Sequence, residues 1–517
     1  MKRFSTYLTV LLAFVVAVSP ATAQEVHRLI NGHWYNGSTF VASEFFVVNG
    51  VLQSDHSGEA QTVDLQGAYV VPGYGNAHTH GIGNNDFDTE SNNLLGRGVF
   101  YVANPNSIGS RSAEAREMAA SPLNVDALFA NGGLTSSGGH PSQIFERYPD
   151  SKAMDGDAYF SIDSMDDLEQ RWPEVLGGNP DFIKVYLERS EFHEKRKHDL
   201  AYYGKRGLDP KLIAPIVEKA HAAGLRVAAH VTSRHDVDVA LKAGVDELAH
   251  LPLEKLKPED AKRAAKNGTT IVTTTLSHRP SDGVHDLDAL HKSNLKLLLE
   301  AGAHVVLGTD SHATVVDEVL EIASLDVFPE EALLRTLVVD TPRWLFPNRD
   351  LGSLKSGARA DFVALESNPL EDLRALKSIT HVYKGGHPVE LQTASEDEKE
   401  GIGQHLVHTI MSKGVDAAIE EYQRLRNEES EEWDFSEGQL NALGYAMMQH
   451  GKLTEATKIF QLNCDQYPES ANVWDSLAES YMERGENEAA IKHYEKSLDL
   501  NPDNENALAK LRLLRKR

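Results

Sequence analysis

Hydrophobic and polar positions change their period from region to region along this chain, and the changes mark its parts. Over 24–70 they alternate between turn signals at Asn31-Gly32, Asn36-Gly37 and Asn49-Gly50, which predicts short antiparallel strands. The alternation returns over 349–393, through Ala360-Asp-Phe-Val-Ala-Leu365 and Thr380-His-Val-Tyr-Lys-Gly-Gly386. Neither piece is long enough to bury a core alone, so the two are expected to pair into one small β-sandwich domain. Between them, over 71–348, apolar runs of strand length alternate with stretches of helical period. Strand 181–187 leads to helix 209–223, 226–231 to 234–243, and 245–251 to 258–267; then 269–275 leads to 286–301, and 304–310 to 314–325. Repeated units of this kind imply a parallel sheet of the α/β class, and the length suits a TIM-like barrel of eight strands and eight helices. A doubly wound sheet lacks support, because no Gly-x-Gly-x-x-Gly follows an early strand.

From 400 to 517 only the helical period remains, so this region is expected to be all-α. Leu443-Gly-Tyr-Ala-Met-Met-Gln-His-Gly451 is echoed by Leu477-Ala-Glu-Ser-Tyr-Met-Glu-Arg-Gly485, and a shift of 34 also relates Ala456 to Ala490, Phe460 to Tyr494 and Pro468 to Pro502. That period, with small residues where helices cross, resembles the tetratricopeptide (TPR) repeat. Clear repeats fall at about 437–469 and 471–503, with a degenerate copy at Gly414–Tyr422 and a capping helix at 503–515. Two clear repeats are few for a free-standing array, so it is expected to lean on the barrel or on a partner, either a second protein or another copy of this chain.

Composition narrows the picture. The 517 residues are 41% hydrophobic, ordinary for a soluble globular protein and too low for a multi-span membrane protein. A formal net charge of −26 opposes binding to nucleic acid. Residues 1–23 read as an export signal, with Lys2 and Arg3, an apolar Tyr7–Val18, and Ala21-Thr22-Ala23 before Gln24. The apolar run is shorter than the roughly 20 residues a membrane span needs, so the mature chain is expected to be periplasmic or secreted, without a span. Cys464 is the only cysteine, which excludes an internal disulfide.

The chemistry gathers at the ends of predicted strands. His78 and His80, at i and i+2 after the run Ala68–Gly73, project to the same side of an extended segment and can share one ion. Lys184, His230, His250 and Asp310 each close or nearly close a later strand. His-x-His with a carboxylate leaves an open position for water, the mark of a catalytic metal site. His230 and His250 can hold a second ion. A protonated lysine cannot ligate, but Lys184 carboxylated on its amine can bridge two ions; a single ion beside unmodified Lys184 is the alternative. Such a centre activates water and polarises a carbonyl, with Asp310 as general base and carrier of the proton to the leaving group. His140, in Ser136-Ser-Gly-Gly-His-Pro141, together with Tyr186 and Arg234, is weighed for substrate contact against structural roles at the barrel rim.

Val71-Pro-Gly-Tyr-Gly-Asn-Ala-His-Thr-His80, Lys184, His230, His250, Asp310 and Leu354-Lys-Ser-Gly-Ala-Arg-Ala-Asp-Phe-Val363 together resemble the entry motif, ligands and exit motif of the amidohydrolase superfamily, in the same order. The likeness is to its imidazolonepropionase and Xaa-Pro dipeptidase branch. It implies a distorted barrel, one or two divalent ions, usually zinc, and hydrolysis of a small-molecule or dipeptide-like substrate at an amide. Family deaminases place a glutamate where this chain has Ser233, which counts against deamination. The same site would open a lactone or another ester, and a non-catalytic scaffold presenting the repeats is a further alternative. The charged segment Glu188–Arg206 departs from the family and reads as a lid.

Overall fold

The computed structural model describes residues 26–84, 86–145, 154–199, 202–277, 287–311, 313–391, 400–428, 430, 433–449, 452–502 and 504–515. The expected export signal lies outside them. Five strands open the fold: β1 (His27–Tyr35), β2 (Phe40–Val48), β3 (Val51–Gln53), β4 (Gln61–Asp64) and β5 (Tyr69–Pro72). A three-stranded parallel sheet follows, of β6 (Tyr74–Asn76), β7 (Val99–Asn104) and β8 (Asp126–Phe129).

The next seven strands form one parallel sheet. They are β9 (Gly133–Thr135), β10 (Tyr159–Ser161), β11 (Ile183–Tyr186), β12 (Val227–His230), β13 (Glu247–Leu248), β14 (Thr270–Val272) and β15 (His304–Val306). After β9 the sheet runs in sequence order through β11 to β15, with helices Ile213–Ala222, Arg234–Ala243, Pro258–Asn267 and Leu287–Glu300 as crossovers. Every residue of β11 and β12 is buried, as expected of parallel strands covered on both faces. Backbone bonds run beyond the strand limits: Ala77 N donates to Leu307 O at 2.8 Å, and Asp181 N to Phe129 O at 2.9 Å.

Three late strands, β16 (Phe362–Leu365), β17 (Ile379–Lys384) and β18 (His387–Val389), return to the N-terminal ones. β16 pairs antiparallel with β5, so the two flanks share one eight-stranded sheet ordered β18-β17-β16-β5-β1-β2-β3, with β4 beside β1. Trp34, Phe362, Tyr383, Leu29 and Leu52 fill its own core. The long-range pairing is one the alternating patterns at the two ends anticipate.

The C-terminal region is helical: Ile402–Lys413, Val415–Glu428, Glu437–Gln449, Leu453–Gln466, Ala471–Glu483, Asn487–Leu500 and Glu505–Leu514. Leu443, Ala456, Phe460 and Leu477 join one core, Ala490 and Tyr494 the next. At Gly444 a Cβ would lie 2.5 Å from the Phe460 ring, so a side chain there would force these helices apart. Cys464 is buried, and burial pushes its thiol up to about 12, away from reactivity. Among the described residues no helix is long and apolar enough to cross a membrane.

Candidate metal centre

His78 and Asp310 reach one point because their two segments are stitched together by Asn76. Its Nδ2 donates to Thr309 Oγ1 at 3.1 Å, while its Oδ1 accepts from His78 N at 3.1 Å and Thr309 N at 3.2 Å. Asp310 N donates to His78 O at 3.0 Å. Gly308 permits the approach, since a Cβ there would stand 2.4 Å from Val272 and 2.8 Å from His78 Cβ. Asp310 itself sits at φ +45°, a left-handed conformation that costs a non-glycine residue about 1 kcal/mol and concentrates at functional sites.

The donor atoms converge. His78 Nε2 and His80 Nε2 are 3.2 Å apart, and Asp310 Oδ1 lies 2.8 Å from His80 Nε2 and 3.4 Å from His78 Nε2. One ligand atom from each falls within 4.8 Å of the others, the spacing a single ion needs. His250 Nε2 approaches Asp310 Oδ2 at 3.8 Å, and the His250 ring lies 4.6 Å from that of His230. Burial drives the His78 imidazolium down to about 4 and that of His250 well below its usual value, so both rings are neutral donors at pH 7. Burial opposes the charge on Asp310, but electrostatic attraction to His78 and His80 and the hydrogen bonds they donate outweigh it and hold the carboxyl well below its ordinary range.

Lys184 completes the group from β11. Its side chain is 1% exposed, and its Nζ has no hydrogen-bond partner among the described residues. Burial, against the pull of Asp310 and Glu247, brings the ammonium down to about 8. A buried cation without a hydrogen bond, with only the Tyr186 ring face at 5.4 Å, is costly, and a ligand role relieves the cost. Four histidines and a carboxylate, beside a lysine with no hydrogen-bond partner, therefore fit divalent ions.

Two supports were not legible in the sequence. Thr274 Oγ1 meets His250 Nδ1 at 2.8 Å, which turns Nε2 toward Asp310. Thr274 is β-branched yet sits at φ +44°, and Glu318 holds the turn by accepting from Thr275 N at 2.7 Å and Leu276 N at 3.1 Å. The run Thr273-Thr-Thr275 reads as plain strand, and nothing in it signals the bend.

The candidate ligands open on a cavity of about 520 Å³ whose other walls include His140, Pro141, Ile144, Phe145, Tyr186 and Ser277. His140 stands 5.1 Å from the His230 ring and 5.2 Å from that of Tyr186. Burial lowers its imidazolium to about 3, so it faces the cavity neutral. Arg234 does not join them. Its guanidinium is bonded to Asp260 of helix Pro258–Asn267, Nε at 2.6 Å and Nη2 at 3.1 Å. Sequence alone could not separate it from a rim residue because it follows His230 so closely. Ser233 caps helix Arg234–Ala243 through Asp236.

The segment read as a lid is fastened at both ends. Asp236 accepts from Arg189 N, Ser190 N and Ser190 Oγ, and Arg206 Nε donates to Gly138 O while Arg206 O accepts from His140 N at 2.8 Å. Those bonds make it a strap that ties the His140 loop to the β11 end.

Residues 184–389 match the amidohydrolase family and residues 478–512 the TPR repeat. The chain carries an amidohydrolase domain. The family match begins at Lys184; His78 and His80 precede it and lie beside its Asp310. Ochratoxinase of Aspergillus niger is 30% identical over 197 residues, covering 34% of this chain. The chain spans about 40% of the length of that curated relative. Among solved structures, the A. niger ochratoxinase superposes with a TM-score of 0.57 at 18% identity, over 70% of this chain and 95% of that one. A Xaa-Pro dipeptidase with bound methionine gives 0.57 at 18%, over 70% and 99%. A prolidase complexed with N-methylphosphonate-L-proline gives 0.56 at 19%, over 70% and 99%. These likenesses show a shared amidohydrolase fold.

Proposed function

We propose that this chain is an exported, metal-dependent hydrolase of amide bonds in small, dipeptide-like substrates. The observation that carries the reading is the convergence of His78, His80 and Asp310 donors within 4.8 Å, beside a Lys184 without a hydrogen-bond partner and at one cavity. The bonds from Ala77 to Leu307 and from Asp181 to Phe129 support closure of β6–β8 with β11–β15 into one eight-stranded barrel, with the mixed sheet as its β-sandwich companion.

His78, His80 and Asp310 would hold one zinc ion, His230 and His250 a second, with a carboxylated Lys184 bridging them. Ions there would supply Lewis-acid polarisation of a carbonyl and a water activated near neutral pH. Asp310, ionised and turned toward the histidines, takes a proton from the attacking water and later delivers it to the leaving nitrogen. Neutral His140 and Tyr186 face the same space and can hydrogen-bond the substrate carbonyl oxygen. Ile144 and Phe145 offer an apolar wall to a substrate side chain. The dipeptidase and ochratoxinase likenesses favour an amide over a lactone or other ester, although the residue types serve both. The TPR repeats favour a protein partner or self-association for the C-terminal region.

A screen of dipeptides, N-acyl amino acids and lactones with zinc-loaded protein tests this. Amide cleavage is expected; a response confined to lactones would replace the amide reading, and none in any class would favour the scaffold.

A further inference from the structure

Glu188 stands just past the end of β11, and its Oε2 lies 3.3 Å from His230 Nε2. The same oxygen accepts from Thr232 Oγ1 at 2.7 Å. We infer that Glu188 is a positioning residue for the metal centre, a carboxylate that fixes the tautomer and donor strength of His230. The inference rests on the metal-centre reading of the preceding section.

The contact is built rather than incidental. Arg189, immediately after Glu188, adopts φ +48°, a left-handed bend that a bulky side chain rarely takes. The bend is held by Asp236, buried, which accepts from Arg189 N at 2.9 Å and Ser190 N at 2.7 Å on one side. On the other side it accepts from Thr232 N at 3.1 Å and Ser233 N at 2.9 Å. One carboxylate thus clamps the residues after Glu188 to the residues after His230. Leu187 N donating to His230 O at 3.0 Å adds a third tie. With the backbone fixed on both flanks, the Glu188 carboxylate meets the imidazole and Thr232 together.

The chemistry follows from which ring nitrogen is engaged. A carboxylate accepts, so Glu188 keeps the proton of His230 on Nε2 and directs the lone pair of Nδ1 to the opposite edge of the ring. His250 has the reverse arrangement, with Nδ1 on Thr274 and Nε2 toward Asp310. Two histidines from neighbouring strands therefore present opposite nitrogens, which lets rings only 4.6 Å apart address one ion. A carboxylate behind a ligating histidine also raises its basicity, and losing such a partner commonly weakens metal binding by about 10–100-fold.

The test compares wild type, Glu188→Gln and Glu188→Asp as full chains. Zinc affinity is read by competition with a chromophoric chelator, and the ligand field by the visible spectrum of the cobalt form. In Glu188→Gln one bound ion should weaken by about 10–100-fold and its cobalt bands should shift, while metal-free thermal stability stays near wild type. Glu188→Asp should recover part of the affinity. Should Glu188→Gln fail to fold, Thr232→Val removes only the hydroxyl that steadies the carboxylate, and a several-fold loss of zinc affinity is expected. Zinc affinity and cobalt bands of the tested variant equal to wild type overturn the inference while leaving the metal centre intact. A wild-type chain that binds no zinc overturns the metal centre, and this pairing with it.

Discussion

At Asp310 the two carboxylate oxygens face different partners, Oδ1 toward His80 and His78 and Oδ2 toward His250. A residue so placed can ligate with one oxygen and carry a proton with the other, and the two roles separate by substitution. Asp310→Asn keeps the shape and a neutral ligand oxygen but removes the base, so kcat on a cleaved amide should fall by about 10²–10⁴-fold. Metal content, measured on the same preparation, should fall less, because four histidines remain. A variant with near-wild-type kcat would assign the proton transfer elsewhere, with His140 the first residue to examine. At this scale the candidate ligands stand out in the sequence because each is a residue type out of place, a histidine, lysine or aspartate closing an apolar run. Their supports, Asn76, Thr274 and Glu188, are ordinary polar residues whose roles depend on partners far away in sequence, and no local pattern marks them.

The helices match their expected spans almost residue for residue, whereas the strands are shorter. Strand 245–251 was expected and Glu247–Leu248 is found; 269–275 was expected and Thr270–Val272 is found. Most of the residues that leave the ladder are at the carboxyl ends, where His250 and Asp310 follow the last paired residues. Hydropathy reports burial, and these turns are as buried as the strands they follow. Glu318, on helix Val315–Ser324, holds one such turn, and its burial pushes its carboxyl from the usual 4.5 up to about 7. Between those pH values the unfolded chain has lost this proton and the folded chain keeps it, so stability falls as pH rises from about 4.5 and levels off above about 7. The loss is on the order of 3 kcal/mol. In Glu318→Gln, thermal unfolding at pH 5 and at pH 8 should differ less than in wild type, by that contribution. An unchanged difference would show that Glu318 is ionised throughout and that its backbone bonds alone set its state.

Across the whole molecule, an amidohydrolase domain, a sheet built from both of its flanks, and a helical TPR region are joined in one chain. The two-ended sheet was legible because the same alternation appears at 24–70 and 349–393, and the repeats because their period is preserved. The placement of the Glu188–Arg206 strap was not, since charge of both signs suits a mobile lid and a fastened segment alike. If the chain is exported as its first residues suggest, amino-terminal sequencing of secreted or periplasmic material should begin at Gln24, and an intact Met1 there would refute the signal. The central claim is that six side chains hold catalytic ions for amide hydrolysis. Zinc titration into metal-free protein, with bicarbonate present, while following cleavage of dipeptides and N-acyl amino acids, tests it most directly. Activity should rise to a plateau at two ions per chain and be lower when bicarbonate is withheld; tight zinc binding without amide cleavage, or cleavage undiminished in metal-free protein, would contradict it.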